Sequence, residues 1–244
     1  MKVVQTFIKN SFRNFNYFIY SDSTKEGIFV DPFDIEQTLP EAKKRGVKPK
    51  YLINTHHHPD HIRHNEKYLA LPETQYLKLE HKQRLKLSDT EYLESIFTPG
   101  PVFDHHCFCL YEHEKLVGVI TGDTVFNAGV GNCKNGGNPQ QLYETIRDYF
   151  LPLPDDVIIY PSHDYLLTNL KFALTQDPHN KDVKELMEER ERMDLDHEFI
   201  RTNIGIEKKI NPFFRAFEHS FCKGFGNKNE NEVFIELRSR RDRW

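Results

Sequence analysis

The chain has 244 residues, of which 38% are hydrophobic and 13% aromatic, enough for a sizeable core and too many for a disordered protein. Its 33 basic and 37 acidic side chains leave a net charge of −4, which offers nucleic acid no general attraction. No apolar run approaches a membrane span, and the first residues lack the apolar core of a signal peptide. The four cysteines, Cys107, Cys109, Cys133 and Cys222, show no Cys-x-x-Cys spacing. The expectation is therefore a reduced, cytoplasmic protein whose partners are neither membrane nor nucleic acid.

In chain order, Asn14 to Tyr20 alternates polar and aromatic residues and predicts a half-buried strand. Gly27 to Val30 predicts a second strand, ending at Asp31-Pro32. Ile35 to Lys44 has helical spacing and closes at Gly46, a natural helix stop. Tyr51 to Asn54 reads as a short buried strand that runs into Thr55-His56-His57-His58-Pro59-Asp60-His61. The i, i+2 spacing turns His56 and His58 to one side of an extended segment. Pro59 then favours a helix start, from which Asp60 and His61 can point back at the same place. Nitrogen and carboxylate ligands without thiolate suit zinc, iron or manganese, and argue against a closed structural zinc site.

Further strands are expected at Thr74–Leu79, Ser95–Thr98 and His106–Glu112, with His81–Asp89 as a charged loop or short helix. Lys115 to Ile120 is a clearer strand ending at Thr121-Gly122-Asp123. A glycine-rich loop, Asn127–Asn138, precedes a helix over Pro139–Phe150. The strand Val157–Tyr160 runs into Pro161-Ser162-His163-Asp164-Tyr165, so three strands end in potential ligands, the usual arrangement for function built on a sheet edge. From Leu166 the pattern turns helical: Leu166–Thr175 is amphipathic, Asp182–Asp196 is highly charged, and Asn211–Phe217 is an aromatic stretch expected to pack on the main body. The basic run Arg238–Arg243 reads as a solvated terminus. The division expected is 1–165 for the site-bearing domain and 166–244 for a helical extension over it.

With these motifs in place, the sequence resembles the metallo-β-lactamase superfamily, and within it the hydroxyacylglutathione hydrolase (glyoxalase II) branch. The resemblance rests on Thr55–His61, Thr98-Pro99-Gly100, Thr121–Phe126, Ser162–Tyr165, Thr168–Ala173 and Asn211–Arg215, and runs from about Phe15 to Arg215. It implies an α/β fold of four layers, an αββα sandwich with a helical C-terminal extension. It also implies two divalent metal ions, zinc first, with iron or manganese as alternatives. His56 and His58 would bind one metal; Asp60, His61 and His163 the other; Asp123 would bridge them. Asp60 and Asp123 would be the catalytic carboxylates, and Tyr165 and Arg215 would contact substrate. A metal-held hydroxide would attack a thioester or carboxylic ester of small-molecule size. Asp31 would be an outer acid orienting the ligand loop, or else a turn or helix cap.

The sequence departs from the branch at its third motif, where Thr-Pro-Gly-His becomes Thr98-Pro99-Gly100-Pro101. The first metal site then keeps His56, His58 and Asp123 only, unless His105 or His106 fills the gap. The glycine-rich loop carries Asn132 where the branch has a lysine, and Glu218 follows Arg215 where a further lysine is usual. Fewer cations would then meet a glutathione carboxylate. Two other readings remain beside the hydrolase: a mononuclear iron enzyme like the sulfur dioxygenases of the superfamily, and a degenerate relative that only binds.

Overall fold

In the computed structural model, which describes residues 1–244, the N-terminal aromatic run sets the layering. Strand β2 (Phe15–Tyr20) lies between β1 (Lys2–Phe7) and β3 (Glu26–Val30), and its successive side chains point to opposite faces. Phe15, Tyr17 and Ile19 enter one core while Phe18 and Tyr20 enter another. All six residues of β2 are buried, so the expected half-buried strand is in fact covered on both sides. The cover comes from Ala42 of α1 (Ile35–Lys44) and, beyond the short turn α2 (Pro59–Ile62), from Tyr68 of α3 (Asn65–Leu69).

The first sheet runs β1-β2-β3-β4-β5, with β4 (Lys48–Ile53) and β5 (Gln75–Tyr76) parallel to β3. The second runs in spatial order β12-β9-β8-β7-β6, built from β6 (Arg84–Lys86), β7 (Glu91–Phe97), β8 (His106–Glu112), β9 (Lys115–Gly122) and β12 (Ile158–Pro161). A two-residue hairpin, β10 (Val125–Phe126) with β11 (Gly129–Val130), follows β9. Ile28, Val30 and Ile53 of the first sheet meet Leu93, Phe108, Leu110 and Ile120 of the second in the central core. The outer face of the second sheet buries Cys107, Cys109, Val119 and Ile159 against Leu142 of α4 (Pro139–Thr145) and against Ile146 and Phe150. This is the four-layer αββα sandwich with a helical C-terminal extension.

Four local expectations change. Within His81–Asp89, Arg84–Lys86 pairs with β7 as an edge strand, charged on its open side as edges usually are. Thr74–Leu79 contributes only two paired residues. The helix expected to Phe150 loosens after Thr145 into a π-helical turn, Ile146–Phe150, and the glycine-rich loop opens on β11.

After β12 only helices follow: α5 (Leu166–Gln176), α6 (Lys181–Arg192), α7 (Ile204–Ile210), α8 (Pro212–Arg215), α9 (His219–Cys222) and α10 (Glu230–Arg243). Phe213 and Phe214 of the aromatic stretch join Phe234 and Leu237 in the core under the second sheet. A capping box of Asn229 and Glu232 starts α10. The basic run at its end is not a solvated terminus. Arg238 is buried and donates to the carbonyls of Val130 and Gly131 at 3.0 Å each, which ties the last helix to the β10–β11 hairpin. No helix is long and apolar enough to cross a membrane.

Candidate metal centre

The ends of β4, β9 and β12 meet at one edge of the paired sheets and bring the six sequence-expected ligands together. His58 caps α2 with an extended backbone and Pro59 takes its first position, so Asp60 and His61 turn inward as the sequence suggested. Two groups of facing ligand atoms result: His56, His58 and Asp123, and Asp60, His61 and His163.

Each histidine presents an inward lone pair because its outer N–H is committed elsewhere. His61 Nδ1 donates to Asp31 Oδ2 at 2.9 Å, and His163 Nδ1 to the Phe12 carbonyl at 2.8 Å. Thr55 gives its hydroxyl proton to Asp31 Oδ2 at 2.7 Å and so accepts from His56 Nδ1 at 3.0 Å. The outer nitrogen of His58 faces the Asn135 carbonyl at 3.5 Å, the loosest of the four. Such outer partners fix tautomer and ring direction.

The inner atoms are then all acceptors. His61 Nε2 and His163 Nε2 lie 3.5 and 3.2 Å from Asp123 Oδ1, and both lie 3.5 Å from Asp60 Oδ2. His56 Nε2 is 2.9 Å from His58 Nδ1 and 3.8 Å from Asp123 Oδ2. His61 Nε2 and Asp123 Oδ1 are buried with no hydrogen-bond partner. Converging lone pairs repel unless a proton or a cation stands among them. Burial works against a charged His61, yet Asp123 and Asp31 outweigh it and push its pKa up to about 9. Burial, and then the charge on His61, lower His56 to about 4. Burial alone would raise Asp123, but His163 and His61 hold it well below the usual carboxylate range. The donor set thus fits two cations sharing Asp123, one oxygen turned to each group.

Asp31 settles its two readings in favour of orientation. Its Oδ1 accepts from the Thr55 backbone at 2.8 Å while its Oδ2 holds Thr55 and His61. Asn14, absent from the expected set, donates to Asp60 Oδ2 at 3.1 Å.

Neither neighbouring histidine replaces the ligand missing at Pro101. His105 is fully buried, accepts the Asp123 backbone N–H at 3.0 Å through Nε2, and places Nδ1 3.0 Å from both Thr98 and Thr124 hydroxyls. It holds Asp123 in place from behind. The fit leaves room for no side chain at Gly122, where φ is +54° and a Cβ would come within 2.5 Å of His105 Nε2. His106 lies in β8 with Nδ1 on Ser95 at 2.8 Å. Pro101 itself packs against Gly131 and Gly137, the latter lying against its carbonyl. The first group therefore has two histidines and a shared carboxylate, and the second has one carboxylate more.

A cavity of about 430 Å³ adjoins the centre. Tyr165 lines it and stacks on His163 at 5.1 Å, with Phe126 edge-on to both rings. Burial, then Asp123 and Asp60, raise the Tyr165 pKa, so its hydroxyl stays protonated. Lys134, Arg238, Arg241 and Trp244 line the remainder, with Asp242 the one carboxylate among them. Two of these cations come from α10, whose i, i+3 arginines share a face, and neither stands at Asn132 or Glu218, where the sequence lacks the branch's lysines. Arg241 lies over the Trp244 ring at 5.0 Å. Arg215, expected to touch substrate, is not there: it pairs with Asp177 at 2.6 Å and stacks on Phe221 at 4.7 Å.

Comparison with known proteins agrees with this architecture. The family model "Hydroxyacylglutathione hydrolase C-terminus" matches residues 164–244. The chain is 33% identical to the hydroxyacylglutathione hydrolase of Nitrosococcus oceani, across 100% of both chains. Among solved structures, ETHE1 from Myxococcus xanthus superposes with a TM-score of 0.69 at 18% identity, over 99% of this chain and 98% of that one. A metallo-β-lactamase from Staphylococcus aureus superposes with a TM-score of 0.66 at 19% identity, over 97% of this chain and 66% of that one.

Proposed function

The chain belongs to the hydroxyacylglutathione hydrolase family of the metallo-β-lactamase superfamily, and from that premise we propose that it hydrolyses the thioester of an anionic thiol carrier, glutathione first among them. The observation that carries the proposal is Asp123, whose two oxygens face two histidine groups while one of them is buried without a partner. His56, His58 and Asp123 would hold one metal; Asp60, His61, His163 and Asp123 the other. The second group would fill first, being richer by a carboxylate, and the first would be weaker for want of a ligand at Pro101. Oxygen and nitrogen donors suit zinc, with iron or manganese as alternatives.

Bound metal would supply an acidified water and polarise the carbonyl oxygen of the ester. The protein's own part is positional. Asn14 and His105 hold Asp60 and Asp123 in register with the histidines, and Tyr165 offers a protonated hydroxyl at the boundary between centre and cavity. Counting charged side chains in the cavity, Lys134, Arg238 and Arg241 against Asp242 leave an excess of two positive charges, which complements the carboxylates of a peptide thiol. The four cysteines are free, in keeping with a reducing cytoplasm.

The test is hydrolysis of S-lactoylglutathione and of an uncharged thioester by protein whose metal content is measured beside turnover. The expected result is metal-dependent turnover of both, with the lower KM for the glutathione ester. Two bound equivalents without any thioester hydrolysis would refute the reading.

A further inference from the structure

The sequence around His163 is tied to two distant parts of the chain by one carboxylate. Asp164, next to that ligand, is buried and accepts from Arg13 Nη2 at 2.7 Å and from Arg190 Nη2 at 3.0 Å. Arg190 comes from α6, the helix of the highly charged stretch. Its side chain is only 1% exposed, and it also donates to the carbonyls of Glu198 and Leu195 at 2.9 and 3.1 Å. Arg13 comes from the loop between β1 and β2. It adds a pair with Asp196 at 3.0 Å, and its guanidinium lies over Phe7 at 4.7 Å.

The loop so gripped carries the acceptor that orients His163. Phe12 directs its carbonyl to His163 Nδ1 at 2.8 Å. The next residue, Arg13, has a φ of +53°, a conformation that a side-chain-bearing residue adopts only at a cost. That backbone is held by the Asp164 N–H, which donates to the Arg13 carbonyl at 3.0 Å, and by the guanidinium on the same residue's carboxylate. One aspartate therefore fixes Arg13 twice, through backbone and side chain. Released from it, the turn could relax, and the Phe12 carbonyl would leave the ring it steers.

We propose that Arg13 and Arg190 are positioning residues for the second metal group, acting through Asp164 and the Phe12 carbonyl to keep His163 Nε2 turned toward Asp60 and Asp123. The helical extension thereby takes part in the metal centre without contributing a ligand. This rests on the metal reading above, and it assigns to α6 a duty separate from substrate contact. Loss of such outer support typically weakens metal affinity by about 10- to 100-fold.

The experiment is a zinc titration of chelator-stripped protein, with the melting temperature of the metal-free form measured alongside. Arg13 is the variant of choice because its side chain is partly exposed, whereas truncating Arg190 could unfold the protein. In Arg13→Gln, one of two zinc equivalents should weaken by about tenfold or more, the other should hold, and Arg13→Lys should recover part of the loss. Arg84→Gln, which breaks a surface pair on the edge strand β6, should behave as wild type. If Arg13→Gln lowers the melting temperature while both equivalents bind as before, the arginine is merely structural and the proposal is overturned. Wild-type protein that binds no zinc would instead overturn the metal reading itself, and this inference with it.

Discussion

Replacing Asp31 by asparagine should damage the metal centre from a position that touches no metal. The carboxylate receives donors on both oxygens: the Thr55 backbone on Oδ1 at 2.8 Å, and Thr55 hydroxyl and His61 Nδ1 on Oδ2 at 2.7 and 2.9 Å. An amide of the same shape must turn its NH₂ toward one side or the other. If it faces the Thr55 backbone, two donors meet in a buried space and the strand end must shift. If it faces His61, the ring can answer only by exchanging tautomers, which puts a proton on Nε2 among Asp60 and Asp123. An unsatisfied buried donor costs about 1–3 kcal/mol, which for a chain of this size lowers the melting temperature by about 2–12 °C. The second metal should weaken by about 10- to 100-fold in addition. Metal titration by calorimetry, with thermal melts of the stripped protein, separates the two effects. Metal affinity equal to wild type in Asp31→Asn would refute the tautomer argument, whatever happened to stability.

Arg241→Ala should raise KM for a glutathione thioester by about tenfold with kcat little changed, the signature of lost uniform binding, and leave an uncharged thioester unaffected in steady-state assays. Pro101→His should tighten the weaker zinc equivalent by about tenfold or more in a competition titration, since it restores a ligand type to a group that has three. Glu207 is fully buried among Ala128, Thr202 and Asn211, and burial raises its pKa to about 7. The unfolded carboxyl ionises near 4.5 while the folded one keeps its proton, so stability should fall as pH rises from about 4.5 to 7, by on the order of 3 kcal/mol, and level off above. Glu207→Gln should flatten that slope, melting with wild type near pH 4.5 and above it at pH 8.

The candidate ligands were legible because their information is local. His56, His58, Asp60 and His61 declare themselves by spacing within one strand-to-helix transition, and Asp123 and His163 by their place after apolar strands. What surrounds them was not local. Arg238 and Arg241 reach the cavity only because α10 docks on the hairpin at Val130 and Gly131, more than a hundred residues earlier. A run of arginines at a chain end carries no sign of that. Arg215 shows the reverse: its motif is present, but the fold turns its guanidinium to Asp177 and away from the cavity. His105 looked like a spare ligand because histidine type says nothing of which nitrogen is free. Only the Thr98 and Thr124 hydroxyls and the Asp123 N–H reveal that neither is. Edge strand β6 escaped notice because it is three residues long and carries one apolar side chain, Leu85, between two exposed cations, too little to show a period.

The six facing side chains do not come from one half of the molecule. Four follow β4 in the first sheet, and Asp123 and His163 follow β9 and β12 in the second. An ion held among them is a rivet through the seam of the sandwich, and its removal frees the two sheets to part at that rim. Free metal at a hundred times its dissociation constant would add about 2.7 kcal/mol to the folded state, so metal supply would govern how long the protein survives proteolysis as well as how fast it works. Hydrogen exchange should register this as a band of lost protection along the ends of β4, β9 and β12 in the stripped protein, with the far ends of the same strands unchanged.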